Sequence, residues 1–330
     1  MCIDFAKSVE AEINRANDTI AKQGNFCADK FLKVLYNKRM FLPITATPFS
    51  HSGYSELLPC KNLATFVRCF WTTWNDGSNV NDFSSVIIPD ACADIIISVD
   101  ENESNSDERE ISGMGFCGTT DKMFRSKNSG IVHRRLFGIR FYAWQAFNFC
   151  DEPLAETANG FFDLEEHFAT AKKMLCRKIH EDMTLSEFKN ISEEVLLNLL
   201  NMPSRKITKQ DSLVLDAVVQ LIRTRGSLPL SSLLKDIHAG ERQLERLFKN
   251  TVSLSPKKFS SLVRYQSLWQ DVCRSENFDI QDAVFKYGYF DQPHLLNDFK
   301  KFHGMSFSDA VNAALSDFYN TKKQSGVMLF

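Results

Sequence analysis

The sequence predicts an α+β fold in two parts: a β-barrel or sandwich with a helical extension and linker helices, then an all-α domain built twice on one plan. Three observations lead there. The segment Gly240–Met305 repeats itself, because Leu244, Phe248 and Ser255 recur as Leu295, Phe299 and Ser306, each pair 51 residues apart. Between Tyr54 and Tyr142 the apolar residues come in short β-branched and aromatic runs bounded by turn formers, the pattern of a small all-β unit. From Asp163 to Leu200 the spacing becomes helical, with stripes Leu164, Phe168, Ala171, Leu175, Ile179 and Leu185, Phe188, Ile191, Val195, Leu196, Leu199.

Composition sets the bounds. With 330 residues, 44% hydrophobic and 24% charged, the chain can bury ordinary cores in about two domains. A formal charge of −2 gives no global basic signature, so affinity for nucleic acid has to come from a local patch. Nine cysteines without a C-x-x-C pair make neither a disulfide framework nor a zinc ribbon. They suit a reducing cytoplasm, the expected location. The first residues, Met1 to Lys7, do not read as a signal peptide. No apolar run approaches the ~18–20 residues that span a bilayer, so no membrane partner is expected. His51 and His133 stand alone, and no metal or other cofactor is expected.

In chain order, residues 1–40 read as a helical N-terminal extension, with Phe5, Val9, Ile13 and Ile20, then Phe31, Leu32 and Leu35. Residues 41–202 read as the β-rich domain with its two linker helices. Its strands centre on Phe66–Trp71, Ser85–Ile88, Asp94–Val99 and Leu136–Phe141. The acidic stretch Glu101–Glu110 reads as a solvated excursion at a hairpin tip. The helices of 163–200 either pack into a core or pair subunits as a homodimer. Asn201–Lys206, with Pro203, is the linker, and 208–320 holds the repeat.

Each half of the repeat is helix, turn, helix. Leu230–Ile237 precedes a helix from Gly240 whose Leu244, Leu247 and Phe248 face inward. Arg242, Gln243, Glu245, Arg246 and Lys249 are left outside. In the second half Gly288 makes the turn, Asp291 caps, and Leu295, Leu296, Phe299 and Phe302 form the core stripe. Gln292, His294, Asn297, Lys300 and Lys301 are left outside. A solvated charged face is the ordinary fate of such residues. Here, planar donors suited to base edges recur in both copies, which points to double-stranded DNA. Lys257, Lys258 and Arg264, near or on the helix from Ser255 to Cys273, are the expected phosphate contacts. At ~1.5 Å per residue that helix separates the two modules by roughly one DNA turn.

The run Glu241-Arg242-Gln243-Leu244-Glu245-Arg246-Leu247-Phe248-Lys249, then Ser255-Pro256, then Gly288-Tyr289-Phe290-Asp291-Gln292-Pro293-His294-Leu295 and Phe299-Lys300, resembles the AraC/XylS family of bacterial transcription regulators. The resemblance spans about Leu213 to Leu315. It implies base reading by Arg242, Glu245 and Arg246 in the first module and by Gln292, His294 and Asn297 in the second. RNA polymerase becomes a partner if the protein activates. His238 departs from the family's usual turn Gly, and Phe307 from its usual Pro. The front domain resembles cupin-like β-barrel sensor domains through Phe66–Trp71, Ile88–Ile96 and Phe137–Phe141. That resemblance implies a small organic effector, with Phe70, Trp71, Asp90, Asp94 and Arg140 as candidate contacts, in an apolar pocket between Phe66 and Phe141. Two other readings compete with this one. In one, the front domain serves dimerisation or partner docking without a ligand. In the other, it is an alkyl-transfer repair domain, which needs a cysteine motif that Pro59-Cys60-Lys61-Asn62 does not supply. The chain is expected not to be an enzyme.

Overall fold

The computed structural model describes residues 54–75, 86–102, 105–125, 134–202, 209–275 and 278–312. The expected helical extension over 1–40 and the linker at Pro203 lie outside the described residues. Eight strands come first: Ser55–Leu57 (β1), Val67–Asn75 (β2), Val86–Ile87 (β3), Cys92–Asn102 (β4), Asn105–Cys117 (β5), Phe124–Arg125 (β6), Arg134–Tyr142 (β7) and Phe161–Asp163 (β8). Six of them form one antiparallel sheet in the order β1-β2-β7-β4-β5-β8, and β3 pairs with β6 apart from it.

Strand alternation explains which residues fill the core. Phe70 lies opposite Ile139, Ile139 opposite Ile95, and Ile95 opposite Phe116, so one row of apolar side chains crosses four strands on one face. All four are fully buried. Two helices cover this face, Leu164–Leu175 (α1) and Leu185–Leu200 (α2). Phe168 of α1 lies 4.6 Å from Phe116, ring to ring, and Phe188 of α2 lies 5.2 Å from Phe137. Each helix starts on a capping box, Asp163 with Glu166 and Thr184 with Glu187, which satisfies N–H groups that the helix itself cannot.

The stripes Phe168–Leu175 and Phe188–Val195–Leu199 pack inside their own domain, the core role among the two alternatives the sequence leaves open. Several aromatic side chains of the Phe66–Phe141 region pack ring on ring within this core, Phe141 against Phe149 at 5.1 Å as well as the pairs above. The acidic stretch is more ordered than its composition suggests. β4 runs to Asn102 and β5 resumes at Asn105, and two ion pairs cross between neighbouring strands there: Arg109 reaches Glu101 at 2.9 Å and Arg134 reaches Asp100 at 2.6 Å.

The all-α part is Lys209–Arg223 (α3), Leu230–Ile237 (α4), Glu241–Val252 (α5), Pro256–Arg274 (α6), Ile280–Lys286 (α7) and Gln292–His303 (α8). The turn between α4 and α5 is made by His238 in the left-handed conformation, φ 55°, where Gly is the usual choice. Its Nδ1 sits 2.7 Å from the Lys235 carbonyl, a local contact that holds the residue there. The departure from Gly therefore leaves the turn intact. Among the described residues no helix is long and apolar enough to cross a membrane.

Candidate nucleic-acid interface

The two second helices, α5 and α8, are built alike. In α5, Leu244 and Phe248 are fully buried and Leu247 nearly so, while Arg242, Gln243, Glu245, Arg246 and Lys249 are all exposed. In α8, Leu295, Phe299 and Phe302 are buried, and His294, Asn297, Lys300 and Lys301 are exposed. Gln292 is half-buried, its Oε1 accepting from Gln281 Nε2 on α7 at 2.7 Å. Asp291 caps α8 by accepting from the His294 N–H at 2.8 Å. Apolar stripe in, polar face out, is what a helix needs to enter a groove without unpacking its domain.

The connecting helix α6 fixes both modules. Its 19 residues span roughly 28 Å at ~1.5 Å per residue. Ser255 caps it, accepting from the Lys258 N–H at 3.3 Å, with Pro256 in the first turn. At its far end Asp271 accepts from Tyr287 Oη at 2.5 Å and from Arg225 Nη1 at 3.1 Å, which locks the second module onto α6. Burial tends to raise the Asp271 carboxyl, but the Lys286, Tyr287 and Arg225 contacts outweigh it and hold the group below its usual range.

The three expected phosphate contacts separate. Lys257 is exposed. Arg264 is turned into the domain: its Nε and Nη2 donate to the Gly226 carbonyl at 3.2 and 2.9 Å, and its guanidinium lies 5.1 Å from the Tyr289 ring. It positions the turn after α3, which approaches α6 so closely that a Cβ on Gly226 would meet the Ser260 carbonyl at 2.2 Å. Lys258 reaches Asp121 of the β domain at 2.6 Å.

That ion pair belongs to a contact surface between the β domain and the helices that sequence reasoning missed. Asn159 Nδ2 donates to Asp121 at 2.8 Å and holds it in place. The Leu154 N–H donates to the Asn250 carbonyl on α5 at 2.9 Å. Trp144 meets Phe259 of α6 edge to face at 5.8 Å, and buried Gln266 Nε2 donates to the Pro89 carbonyl at 2.7 Å. Gln266 was the available signal, a polar residue in the otherwise apolar stripe Phe259, Leu262, Val263, Trp269. Asp121 lies in a turn-forming stretch that gives no such sign.

Four of the five candidate effector contacts meet and one does not. Arg140 donates from Nε and Nη2 to Asp94 at 2.9 and 3.2 Å and faces Asp90 at 3.5 Å. Trp71 Nε1 donates to Asp94 at 2.8 Å. Burial, opposed by the Arg140 charge, pushes the Asp90 carboxyl up to about 6. Phe70 follows the strand alternation to the opposite face, under Phe188 at 6.3 Å, and cannot share a site with Trp71. The cluster is a buried set of paired charges, and it adjoins Pro89, the residue that Gln266 grips.

A domain of unknown function (DUF6597) matches residues 55–163, and a helix-turn-helix domain matches residues 233–313. No protein of curated function matches the chain by sequence. Among solved structures, a variant of ToxT from Vibrio cholerae in its apo form is 9% identical, covering 74% of this chain and 97% of its own at a TM-score of 0.36. ToxT from Vibrio cholerae bound to an unsaturated fatty acid is also 9% identical, covering 83% and 97% at 0.35. So loose a superposition transfers no residue roles. The chain thus carries a helix-turn-helix domain over 233–313 behind a β domain of the DUF6597 kind over 55–163.

Proposed function

We propose that this is a sequence-specific regulator in which α5 and α8 read two successive major grooves of DNA, and the β domain gates that reading in response to a small organic effector. The observation that carries it is the matched pair of second helices, each with its apolar stripe buried and its polar face open, joined by one continuous helix. Arg242, Gln243, Glu245 and Arg246 read bases from α5, with Lys249 beside them; Gln292, His294 and Asn297 read from α8, flanked by Lys300 and Lys301. Lys257 and Lys258 touch phosphates. The domain limits that go with this reading are 41–202 for the gate and 208–320 for the reader. RNA polymerase is a partner in the activating mode, and the cytoplasm is the location. Cys69 is a poor nucleophile: burial, only partly offset by Arg68, pushes its thiol up to about 12, opposite to what a nucleophile requires.

Gating follows from the shared surface. An effector whose polar end engages Asp90, Asp94, Trp71 or Arg140 perturbs Pro89, and through Gln266 the helix between the two readers. It shifts DNA affinity only by its differential affinity for two arrangements of that surface. Lys258 is the simplest reporter, since it is held by Asp121 and is also a phosphate contact. Asp121→Asn removes the charge and nearly keeps the shape. The full-length variant is expected to bind DNA about twofold to fivefold more tightly, with a salt slope steeper by up to about one. Unchanged affinity and slope would mean that Lys258 is not withheld from DNA.

The function itself is tested by selection. From a pool of random duplexes, the full-length chain is expected to recover a site with two conserved blocks about one helical turn apart. Recovery of unrelated sequences, bound no better than bulk DNA, would refute sequence-specific reading.

A further inference from the structure

Among the described residues five large apolar side chains stand on the surface, and Phe290 is the most exposed of them, at 90%. It directly precedes Asp291, the cap of α8. An apolar residue at this position commonly folds back onto the first turn of its helix. Here the inward place is taken by Tyr289, which is 6% exposed and donates from Oη to Asp298 at 3.2 Å. The Phe290 ring is left outside, although its N–H approaches His294 Nδ1 at 3.4 Å. It therefore stands at the N-terminal end of α8, next to Gln292 and His294. That is the end a helix-turn-helix domain presents to base edges.

We propose that Phe290 is a specificity residue that recognises a thymine by packing its ring against the C5-methyl group. The inference rests on the reading of α8 as a major-groove helix. A phenyl ring offers no hydrogen bond, and the apolar group that the major groove displays is the thymine methyl. A protein partner fits the surroundings less well. Asp291 and His294 beside it are polar and exposed, unlike the apolar surroundings of an aromatic anchor at a protein interface, and the other exposed Phe of this module, Phe285 at 83%, stands on α7 rather than on α8. Lys300 and Lys301, on the same helix, carry the charge that suits phosphates.

The test uses the duplex that the full-length chain selects from random DNA, with its thymines replaced one at a time by deoxyuridine, which removes only the methyl group. Wild-type protein is expected to lose roughly threefold to fivefold in affinity at one thymine in the α8 half of the site. F290A, whose helicity should match wild type because Asp291 still caps α8, is expected to bind the thymine and uracil versions equally, near the wild-type level on uracil. F290L is expected to retain part of the discrimination. The inference is overturned if F290A discriminates as wild type does, if no single methyl matters, or if F290A weakens both versions alike. A chain that selects no site at all removes the DNA-reading proposal itself, and this inference with it.

Discussion

Phe188→Ala is expected to lower the stability of the β domain by about 3–5 kcal/mol, the usual cost of emptying a Phe-sized core site. The side chain is fully buried between Phe70 and Phe137, with ring centres 6.3 and 5.2 Å away. It is the point at which α2 is fastened to the sheet. Sheet and helix cannot close over the cavity without breaking the rows that cross β2, β7, β4 and β5. Urea unfolding of the full-length chain, followed by near-ultraviolet circular dichroism, measures the loss. A change below about 1 kcal/mol, the range of a surface substitution, would mean that α2 does not close this core.

Arg246→Ala is expected to weaken binding to the selected DNA site by about 1–3 kcal/mol and to relax base preference at one position. Arg246 is exposed on α5 beside Arg242 and opposite the buried Leu244–Phe248 stripe. Its loss therefore leaves the domain's packing alone. Lys257→Ala is the contrast. It should weaken specific and random duplexes alike and lower the salt slope by about one. If both substitutions acted identically on the two kinds of DNA, α5 would not be a base-reading helix.

The periodic parts of this fold were legible in the sequence, because period and burial express the same physics. The repeat offset located α5 and α8 with their inward stripes, and the β-branched runs located the centres of β2, β4 and β7. What sequence could not supply was the other side of each contact. The stripe of α2 shows that Phe188 needs a partner but not that Phe70 and Phe137 of the same chain provide it. Arg264 reads as one more basic residue near a DNA helix until the Gly226 carbonyl is seen beneath it. The acidic stretch reads as loop because its composition hides the pairing of β4 with β5, which folds Arg109, within the stretch, back against Glu101. Glu101 is answered by Arg109 and Asp100 by Arg134, across strands rather than along the chain. Asp121 and Lys258 are 137 positions apart, and nothing local to either marks the pair.

Two reading helices held at a fixed separation by α6 make a rigid demand on DNA. The affinity of the full-length chain for its selected site, before and after five base pairs are inserted between the two conserved blocks, measures that demand directly. Half a turn of insertion places the second groove on the far face of the duplex, so only one module can engage. Affinity is expected to fall at least about tenfold, towards that of a site with one block destroyed. Equal affinity for the two spacings would contradict simultaneous reading by α5 and α8.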